Sequence, residues 1–250
     1  MIALCQRSGD LIRPYFGADA ATLAVELKSD ETIVTRADRE AEALMRRLIA
    51  KRFPDHGIIG EEYGEERADA EFVWSLDPID GTISFASASP LFGTQIALLH
   101  NGVPALGAIN QPVLRQLCVG DGELTTLNGR PVRVREVRPL SEAILLTTDI
   151  LRVAEHHDAA AFETLMRGVK LVRTWGDCYG YLLLATGHAD IMGDPGVHDL
   201  WDVAPLVPIV RGADGVITDW QGNDVLGLRS CLTTTSQTLH DEVVRTLNQS

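Results

Sequence analysis

The chain has 250 residues, 45% of them hydrophobic, which is enough to bury the core of one large or two closely joined α/β domains. Its formal net charge is −13, and no basic run interrupts the acidic balance. This charge argues against a nucleic-acid partner and suits a site that collects divalent cations.

The sequence indicates neither a membrane protein nor a scaffold held by zinc or disulfides. No apolar run approaches the roughly 20 residues that a membrane span needs, and the first residues lack the basic-then-apolar layout of a signal peptide. The four cysteines are far apart and form no C-x-x-C pair. We therefore expect a cytoplasmic protein with no membrane contact and with reduced, buried thiols.

The first half of the chain predicts helices followed by strands. One helix extends to about Phe16, and a clearer one ends before Pro54 and carries apolar side chains at helical spacing, at Ala41, Leu44, Met45, Leu48 and Ile49. Two short apolar runs, 57–60 and 72–76, are typical of strands, and each leads into acidic residues. Asn101-Gly102 predicts a hairpin between strands 94–99 and 103–109, and Asn128-Gly129 predicts another turn.

The second half mixes the same two kinds of element. It predicts strands and helices in the order strand 143–147, helices 159–168 and 179–187, strand 189–192, helix 201–211 kinked by Pro208, strand 215–220 and helix 239–247. The pattern indicates an α+β or layered α/β architecture. We expect two halves, 1–138 with most of the metal ligands and 139–250 completing the site.

The most informative segment is Asp77-Pro78-Ile79-Asp80-Gly81-Thr82. Its two carboxylates follow an apolar strand and are predicted to lie on a turn, stiffened by the proline, that points them to one side with the Ile79 carbonyl. Such hard oxygen ligands suit Mg²⁺ or Mn²⁺. The amides of Gly81 and Thr82 would open a helix and attract a phosphate. Taken alone, however, the same residues are also a good turn sequence.

Two further acidic segments favour the metal site over the simple turn. Gly60-Glu61-Glu62 lies upstream and Trp201-Asp202 downstream, each at a predicted strand end or helix start. Bringing these carboxylates together would be costly without a cation. The sequence therefore predicts a shared metal centre.

In order and spacing these motifs, with Gly215-Val-Ile-Thr-Asp219 after them, resemble those of the inositol monophosphatase superfamily over essentially the whole chain. The resemblance implies an α-β-α-β-α sandwich, usually dimeric, that hydrolyses a small phosphate monoester. It also implies two or three Mg²⁺ ions per site, with Mn²⁺ as a substitute. Those ions would make hydroxide available near neutral pH and neutralise the phosphate oxygens.

The resemblance assigns the ligands residue by residue. Glu61, Asp77 and the Ile79 carbonyl would hold one ion, and Asp77, Asp80 and Asp202 would hold a second. Thr82, with Glu61 beside it, would help to activate the attacking water.

Asp38 matches the family position that hydrogen-bonds the threonine at Thr82. The residues alone allow a different role, as the N-cap of a helix that starts near Arg39. The two roles are compatible.

For the substrate, the segment Gly176-Asp177-Cys178-Tyr179 is similar to the histidinol-phosphate phosphatases of the superfamily, as are 90–94 and 110–112. An extra carboxylate near the leaving group suits a cation, and histidinol carries an ammonium and an imidazole. We therefore expect Asp177 and Asp194 to contact the substrate, together with Asp80, Gly81 and Thr82. Asp177 has an alternative role as a helix N-cap.

The sequence departs from the family pattern at two places and leaves three alternative functions open. Ile83-Ser84-Phe85 replaces the usual asparagine-containing sequence, and the segment 194–202 is one residue longer than usual. The substrate could instead be inositol phosphate or adenosine 3′,5′-bisphosphate. Some superfamily members bind RNA or the transcription apparatus, which the acidic balance opposes.

Overall fold

The computed structural model describes residues 1–27, 33–196, 199–227 and 229–249. Over these residues the helices are α1 (Ile2–Ile12), α2 (Ala20–Leu23), α3 (Arg36–Arg52), α4 (Thr82–Ala86), α5 (Val153–His156), α6 (Ala159–Gly168), α7 (Asp177–Ala185), α8 (Leu200–Val203), α9 (Leu206–Gly212) and α10 (Gln237–Leu247). Short 3₁₀ turns occur at Arg13–Tyr15, Leu140–Glu142 and Val225–Gly227.

Most of the strands form two sheets. In chain order the strands are β1 (Glu26–Leu27), β2 (Ile33–Val34), β3 (Gly57–Gly60), β4 (Gly64–Glu66), β5 (Phe72–Asp80), β6 (Gly93–His100), β7 (Val103–Gln111), β8 (Gln116–Gly120), β9 (Thr125–Leu127), β10 (Arg130–Val132), β11 (Ile144–Leu146), β12 (Leu171–Arg173), β13 (Ile191–Asp194), β14 (Val216–Thr218) and β15 (Cys231–Thr234). Eight form one sheet in the order β10-β9-β8-β7-β6-β5-β3-β4, and five form a second in the order β12-β11-β13-β15-β14. The first is antiparallel except between β3 and β5, whereas β11 pairs in parallel with both β12 and β13.

The helices complete a sandwich of alternating layers. Helices α1 and α3 pack on one face of the eight-stranded sheet, α7 and α9 contact strands of both sheets, and α8 contacts β5 and β6. Helices α6 and α10 pack against each other on the far side of the five-stranded sheet. The layered α+β architecture and its α-β-α-β-α order agree with the prediction.

The core follows from these layers. Met45 and Ile49 of α3 lie in a buried cluster with Trp74 and Leu76 of β5, as their helical spacing predicts. Burying one such side chain stabilises the fold by about 1.5–3 kcal/mol. The four cysteines are free and buried, as expected.

Turn chemistry is correctly predicted at both Asn-Gly pairs. Asn101 and Gly102, between β6 and β7, have φ of 50° and 78°, and Asn128 and Gly129 have 51° and 76°. These left-handed pairs match the twist of adjacent antiparallel strands.

One predicted helix is interrupted. The expected helix 201–211 is divided into α8 and α9, and the break falls at Ala204–Pro205 instead of at Pro208. Pro205 is the N-cap of α9, and Pro208 lies within its first turn, where a missing N–H costs little. In the described part of the chain, no helix has the length and apolar content to cross a bilayer.

Candidate active site

Strand β5 is longer than predicted and includes both Asp77 and Asp80. The expected turn at Asp77–Asp80 is instead the end of the strand, which continues to Asp80, and its pairing with β6 is irregular between the two aspartates. Side chains three residues apart on a regular strand point to opposite faces. The irregularity lets both carboxylates turn to the same side.

Helix α8 adds a third carboxylate to the same place. One ligand oxygen each from Asp77, Asp80 and Asp202 lie within 4.8 Å of one another. The backbone carbonyl of Asp202 accepts a hydrogen bond from Gln95 Nε2 on β6 at 3.3 Å. The predicted meeting of separate acidic segments is therefore present for these three residues.

The pKa values of all three carboxyl groups are raised because the cluster is buried and lacks a positive charge. Burial, then Glu61 and the other two aspartates, raise the pKa of Asp77 well above its usual value. Burial raises the pKa of Asp80 to about 6, although the Cys178 amide opposes this by donating to its carboxylate. The pKa of Asp202 is also raised well above normal, by burial and then by Asp80 and Glu61.

A divalent metal ion fits this donor set. Asp77 Oδ1 is buried without a hydrogen-bond partner among the described residues, and all the surrounding ligand atoms are oxygens. A cation would satisfy that atom and remove the mutual repulsion. The Ile79 carbonyl, also predicted as a ligand, belongs to a fully buried residue between the two aspartates.

Glu61 lies beside this cluster but outside the group of three close carboxylates. It follows β3, and its amide donates to the Leu76 carbonyl at 3.2 Å. The two amides after it, of Glu62 and Tyr63, donate to the fully buried carboxylate of Glu42 on α3 at 2.7 and 3.2 Å. Glu42 therefore fixes the segment that carries Glu61.

Thr82 and Asp38 are not hydrogen-bonded to each other in this structure. The Thr82 hydroxyl donates to the Ile79 carbonyl at 3.0 Å. Asp38 Oδ2 accepts from the amide of Thr35 at 2.8 Å and from its hydroxyl, while Asp38 Oδ1 is buried without a partner.

The alternative role predicted for Asp38 is wrong. The N-cap of α3 is Thr35, and Asp38 is the third helical residue of a capping box. The helix starts three residues earlier than expected because Thr35 supplies the extended backbone that a cap requires. Burial, opposed by the bonds from Thr35, raises the pKa of Asp38 to about 7.

Asp177 lies beside the phosphate-contact candidates. It is the first residue of α7, and the N-cap is Gly176, so the alternative N-cap role is wrong. A Cβ built on Gly81 would lie 2.9 Å from Asp177 Oδ2, which places this carboxylate directly over Gly81. Gly81 itself has φ +84°, a conformation that favours glycine.

Asp194 ends β13, and both of its oxygens accept hydrogen bonds. Thr148 Oγ1 donates to Oδ1 at 2.5 Å and the Tyr181 hydroxyl donates to Oδ2 at 2.9 Å. Burial nevertheless raises the pKa of Asp194, and it raises that of Asp177 well above normal, with Asp80 and Asp194 adding to the effect there. Thr148 also accepts the Asp177 amide at 2.9 Å.

These residues line two adjoining cavities. A cavity of about 170 Å³ is lined by, among others, Asp80, Gln95, Asp177, Asp194 and Asp202. A wider one of about 610 Å³ includes Glu61, Gly81, Thr82 and again Asp177. Thr148 and Arg152 line both cavities.

Three residues that organise the site were not predicted from the sequence: Thr148, Tyr181 and Glu42. Thr148 directly follows a predicted strand, the position that identified Glu61 and Asp77. Glu42 stands on the apolar face of α3, one residue after Ala41, and a carboxylate there requires buried donors. Tyr181 carried no local signal, since its partner comes from a different element.

Comparison with known proteins agrees with this geometry. The inositol monophosphatase family model matches residues 1–250. The chain is 42% identical over 229 residues to the bifunctional phosphatase IMPL2 of Arabidopsis thaliana, covering 90% of this chain but 64% of that protein. It is 38% identical to a histidinol-phosphatase of Chlorobaculum parvum, with coverage of 88% and 85%.

A solved structure agrees in fold. An inositol monophosphatase from Zymomonas mobilis superposes with a TM-score of 0.84 at 34% identity, covering 98% of this chain and 94% of that one. Sequence and architecture thus lead to one assignment along the full length: the chain belongs to the inositol monophosphatase family.

Proposed function

We propose that this family phosphatase is Mg²⁺-dependent and hydrolyses L-histidinol phosphate to L-histidinol and phosphate. The observation that carries the proposal is the pair of carboxylates, Asp177 and Asp194, that lines the cavity next to the metal cluster. A neutral polyol offers these groups no opposite charge, whereas the ammonium or imidazolium of histidinol does. Similarity to named histidinol-phosphatases supports the same substrate.

The charge of the cavity supports a cationic leaving group. Among the described residues that line the smaller cavity, five are aspartates and one, Arg152, is a base. Metal ions would neutralise the carboxylates that ligate them, but Asp177 and Asp194 lie outside that cluster. Their carboxylates are therefore left for the substrate, whose positive charge would offset the burial that raises the pKa of both groups.

Asp77, Asp80, Asp202, Glu61 and the Ile79 carbonyl would hold two or three Mg²⁺ ions, for which Mn²⁺ could substitute. When bound, these ions supply charge neutralisation of the phosphate and a lowered pKa of water. Gly81 and Thr82 would orient the phosphoryl group at the start of α4.

The chain's own groups then position the attacking water. The Thr82 hydroxyl donates its hydrogen bond to the Ile79 carbonyl, so its oxygen lone pairs are left to accept a hydrogen bond from water. The Glu61 carboxylate would accept the proton that water loses. Asp38, whose Oδ1 has no partner among the described residues, would support this end of the site. Displacement is in line and needs no covalent phosphoenzyme.

Inositol phosphate is the second candidate substrate, because two relatives and one solved structure that are named inositol monophosphatases match the chain at 30–34% identity. We place the enzyme in the cytoplasm as a homodimer without a nucleic-acid partner.

The test of the proposed function is phosphate release from histidinol phosphate, inositol phosphate and adenosine 3′,5′-bisphosphate by metal-depleted protein with and without Mg²⁺. We expect the highest kcat/KM on histidinol phosphate, with no turnover before Mg²⁺ is added. A higher value on either other ester would refute the substrate assignment.

A further inference from the structure

The hydroxyl of Thr148 links the backbone of Asp177 to the carboxylate of Asp194, the two aspartates that the leaving group would meet. Its Oγ1 accepts the Asp177 amide at 2.9 Å and donates to Asp194 Oδ1 at 2.5 Å. A threonine hydroxyl has one proton, so these bonds run in a single direction from amide to hydroxyl to carboxylate. Neither aspartate is one of the three clustered metal-ligand candidates.

Close packing holds this bridge in place. A Cβ built on Gly176 would lie 2.3 Å from Thr148 Oγ1 and 2.4 Å from its Cα, so α7 can approach Thr148 only because residue 176 is glycine. Asp177 has φ +49°, an uncommon conformation for a residue with a side chain. Tyr181, one helical turn later, fixes the other oxygen of Asp194 at 2.9 Å.

We propose that Thr148 is a positioning residue that sets the direction and spacing of Asp177 and Asp194 and thereby determines the preference for a cationic leaving group. The preference rests on the proposed function. Without the hydroxyl, the Asp177 amide loses its partner, and Asp194 loses the bond to Oδ1 while the bond from Tyr181 to Oδ2 remains. The two carboxylates are then no longer held toward one point, and a cation between them is bound less tightly.

The chain contains a matched control next to Thr148. Thr147 is fully buried, and its hydroxyl has no hydrogen-bond partner among the described residues. Thr147→Val and Thr148→Val make the same chemical change, but only the second removes hydrogen bonds. Thr148→Ser retains the hydroxyl and provides a conservative rescue.

The experiment measures kcat and KM for histidinol phosphate and inositol phosphate in the parent and the three variants, together with hydrogen exchange of the Asp177 amide by NMR. We expect Thr148→Val to raise the KM for histidinol phosphate about tenfold relative to that for inositol phosphate, the effect of one lost hydrogen bond to a charged group. The Asp177 amide should exchange faster in that variant. Thr147→Val should behave like the parent, and Thr148→Ser should lie close to it.

Different results would overturn the two parts of the inference. Equal changes in KM for both esters in Thr148→Val would overturn the role in specificity, and so would a shift of the KM ratio in Thr147→Val as large as that in Thr148→Val. Unchanged exchange of the Asp177 amide in Thr148→Val would overturn the positioning itself. A parent enzyme that cleaves inositol phosphate alone refutes the proposed function, and this outcome is read from the parent before any variant is compared.

Discussion

The carboxylate of Glu42 lies directly against the α-carbon of Gly60: a Cβ added to Gly60 would stand 2.3 Å from Glu42 Oε1. From this position Glu42 accepts the amides of Glu62 and Tyr63 and pairs with Arg46 at 2.7 Å. The direction of Glu61 therefore depends on a neighbouring residue that has no side chain.

Gly60→Ala should weaken metal binding. The new methyl group forces Glu42 away from the two amides, which costs about 1–3 kcal/mol of stability for overpacking and releases the segment that carries Glu61. Calorimetric titration should show a lower Mg²⁺ affinity at a temperature where the variant is folded. Gly168→Ala is the control, because its Cβ would meet only Leu140 at 3.5 Å. Unchanged Mg²⁺ affinity in Gly60→Ala would contradict the role of this contact.

Asp80→Asn should abolish most Mg²⁺-dependent turnover while leaving the metal-free fold at least as stable as the parent. It removes a ligand, but it also removes one of the crowded charges that raise the pKa of Asp202. Turnover at saturating Mg²⁺ and the Tm in chelator are the two measurements. Near-normal turnover would refute the ligand role, and a large fall in Tm would show that Asp80 is chiefly structural.

Thr82→Ala should lower kcat far more than it raises KM, because orienting the attacking water is felt mainly in the transition state. The variant should still bind Mg²⁺ and inorganic phosphate, as measured by calorimetry. Loss of phosphate binding with kcat preserved would make Thr82 a binding residue only.

Asp177→Asn should reduce the preference for histidinol phosphate. It keeps the shape of the side chain and removes a charge-assisted hydrogen bond worth roughly 1.5–3 kcal/mol, or about ten- to a hundredfold in specificity. Hydrolysis of inositol phosphate should be no worse. The measurement is the ratio of kcat/KM for the two esters. Since Gly176 and not Asp177 caps α7, an unchanged ratio would remove the main reason for preferring histidinol phosphate.

The metal-free protein should become less stable as the pH rises from about 4 to about 7. In the folded state the pKa is about 6 for Asp80 and about 7 for Asp38, both above their usual value of 3.8. The pKa values of Asp77, Asp177 and Asp202 are raised as well, and these groups together outweigh His240, whose pKa burial lowers to about 4. The folded state therefore binds more protons than the unfolded chain within this window, and stability falls with rising pH wherever that is so.

Calorimetric Tm values in chelator across that range test this pH dependence. Asp80→Asn should flatten the slope because one of the titrating groups is gone. Saturating Mg²⁺ should remove the fall at neutral pH, since the ion replaces the protons and binds the folded state. A Tm in chelator that rises steadily to pH 7 would contradict the prediction.

The sequence predicted well wherever a structure depends on neighbours in the chain. Helix α6 has the predicted bounds because Asp158 caps its start through the amides of residues 160 and 161. The Asn-Gly hairpins and the acidic strand ends are also local signals. Three of the predicted ligands, Asp77, Asp80 and Asp202, meet as expected.

The remaining features depend on contacts between distant parts of the chain. Thr148 meets Asp177 and Asp194 across 29 and 46 residues, and Glu42 meets the Glu62 amide across 20. No local pattern encodes such pairs. The break at Pro205 was missed because periodicity alone merges the two short helices α8 and α9.

Helix α7 forms hydrogen bonds with both the carboxylate cluster and the proposed leaving-group site. Its Cys178 amide donates to Asp80, and its Tyr181 hydroxyl donates to Asp194. Metal binding at Asp80 and capture of the leaving group at Asp194, as proposed, would therefore act on one helix. Thermodynamic linkage makes such coupling reciprocal: whatever factor the ion contributes to substrate affinity, the substrate returns to ion affinity. At ion concentrations below saturation, the enzyme would then respond to a rise in substrate by recruiting its own cofactor.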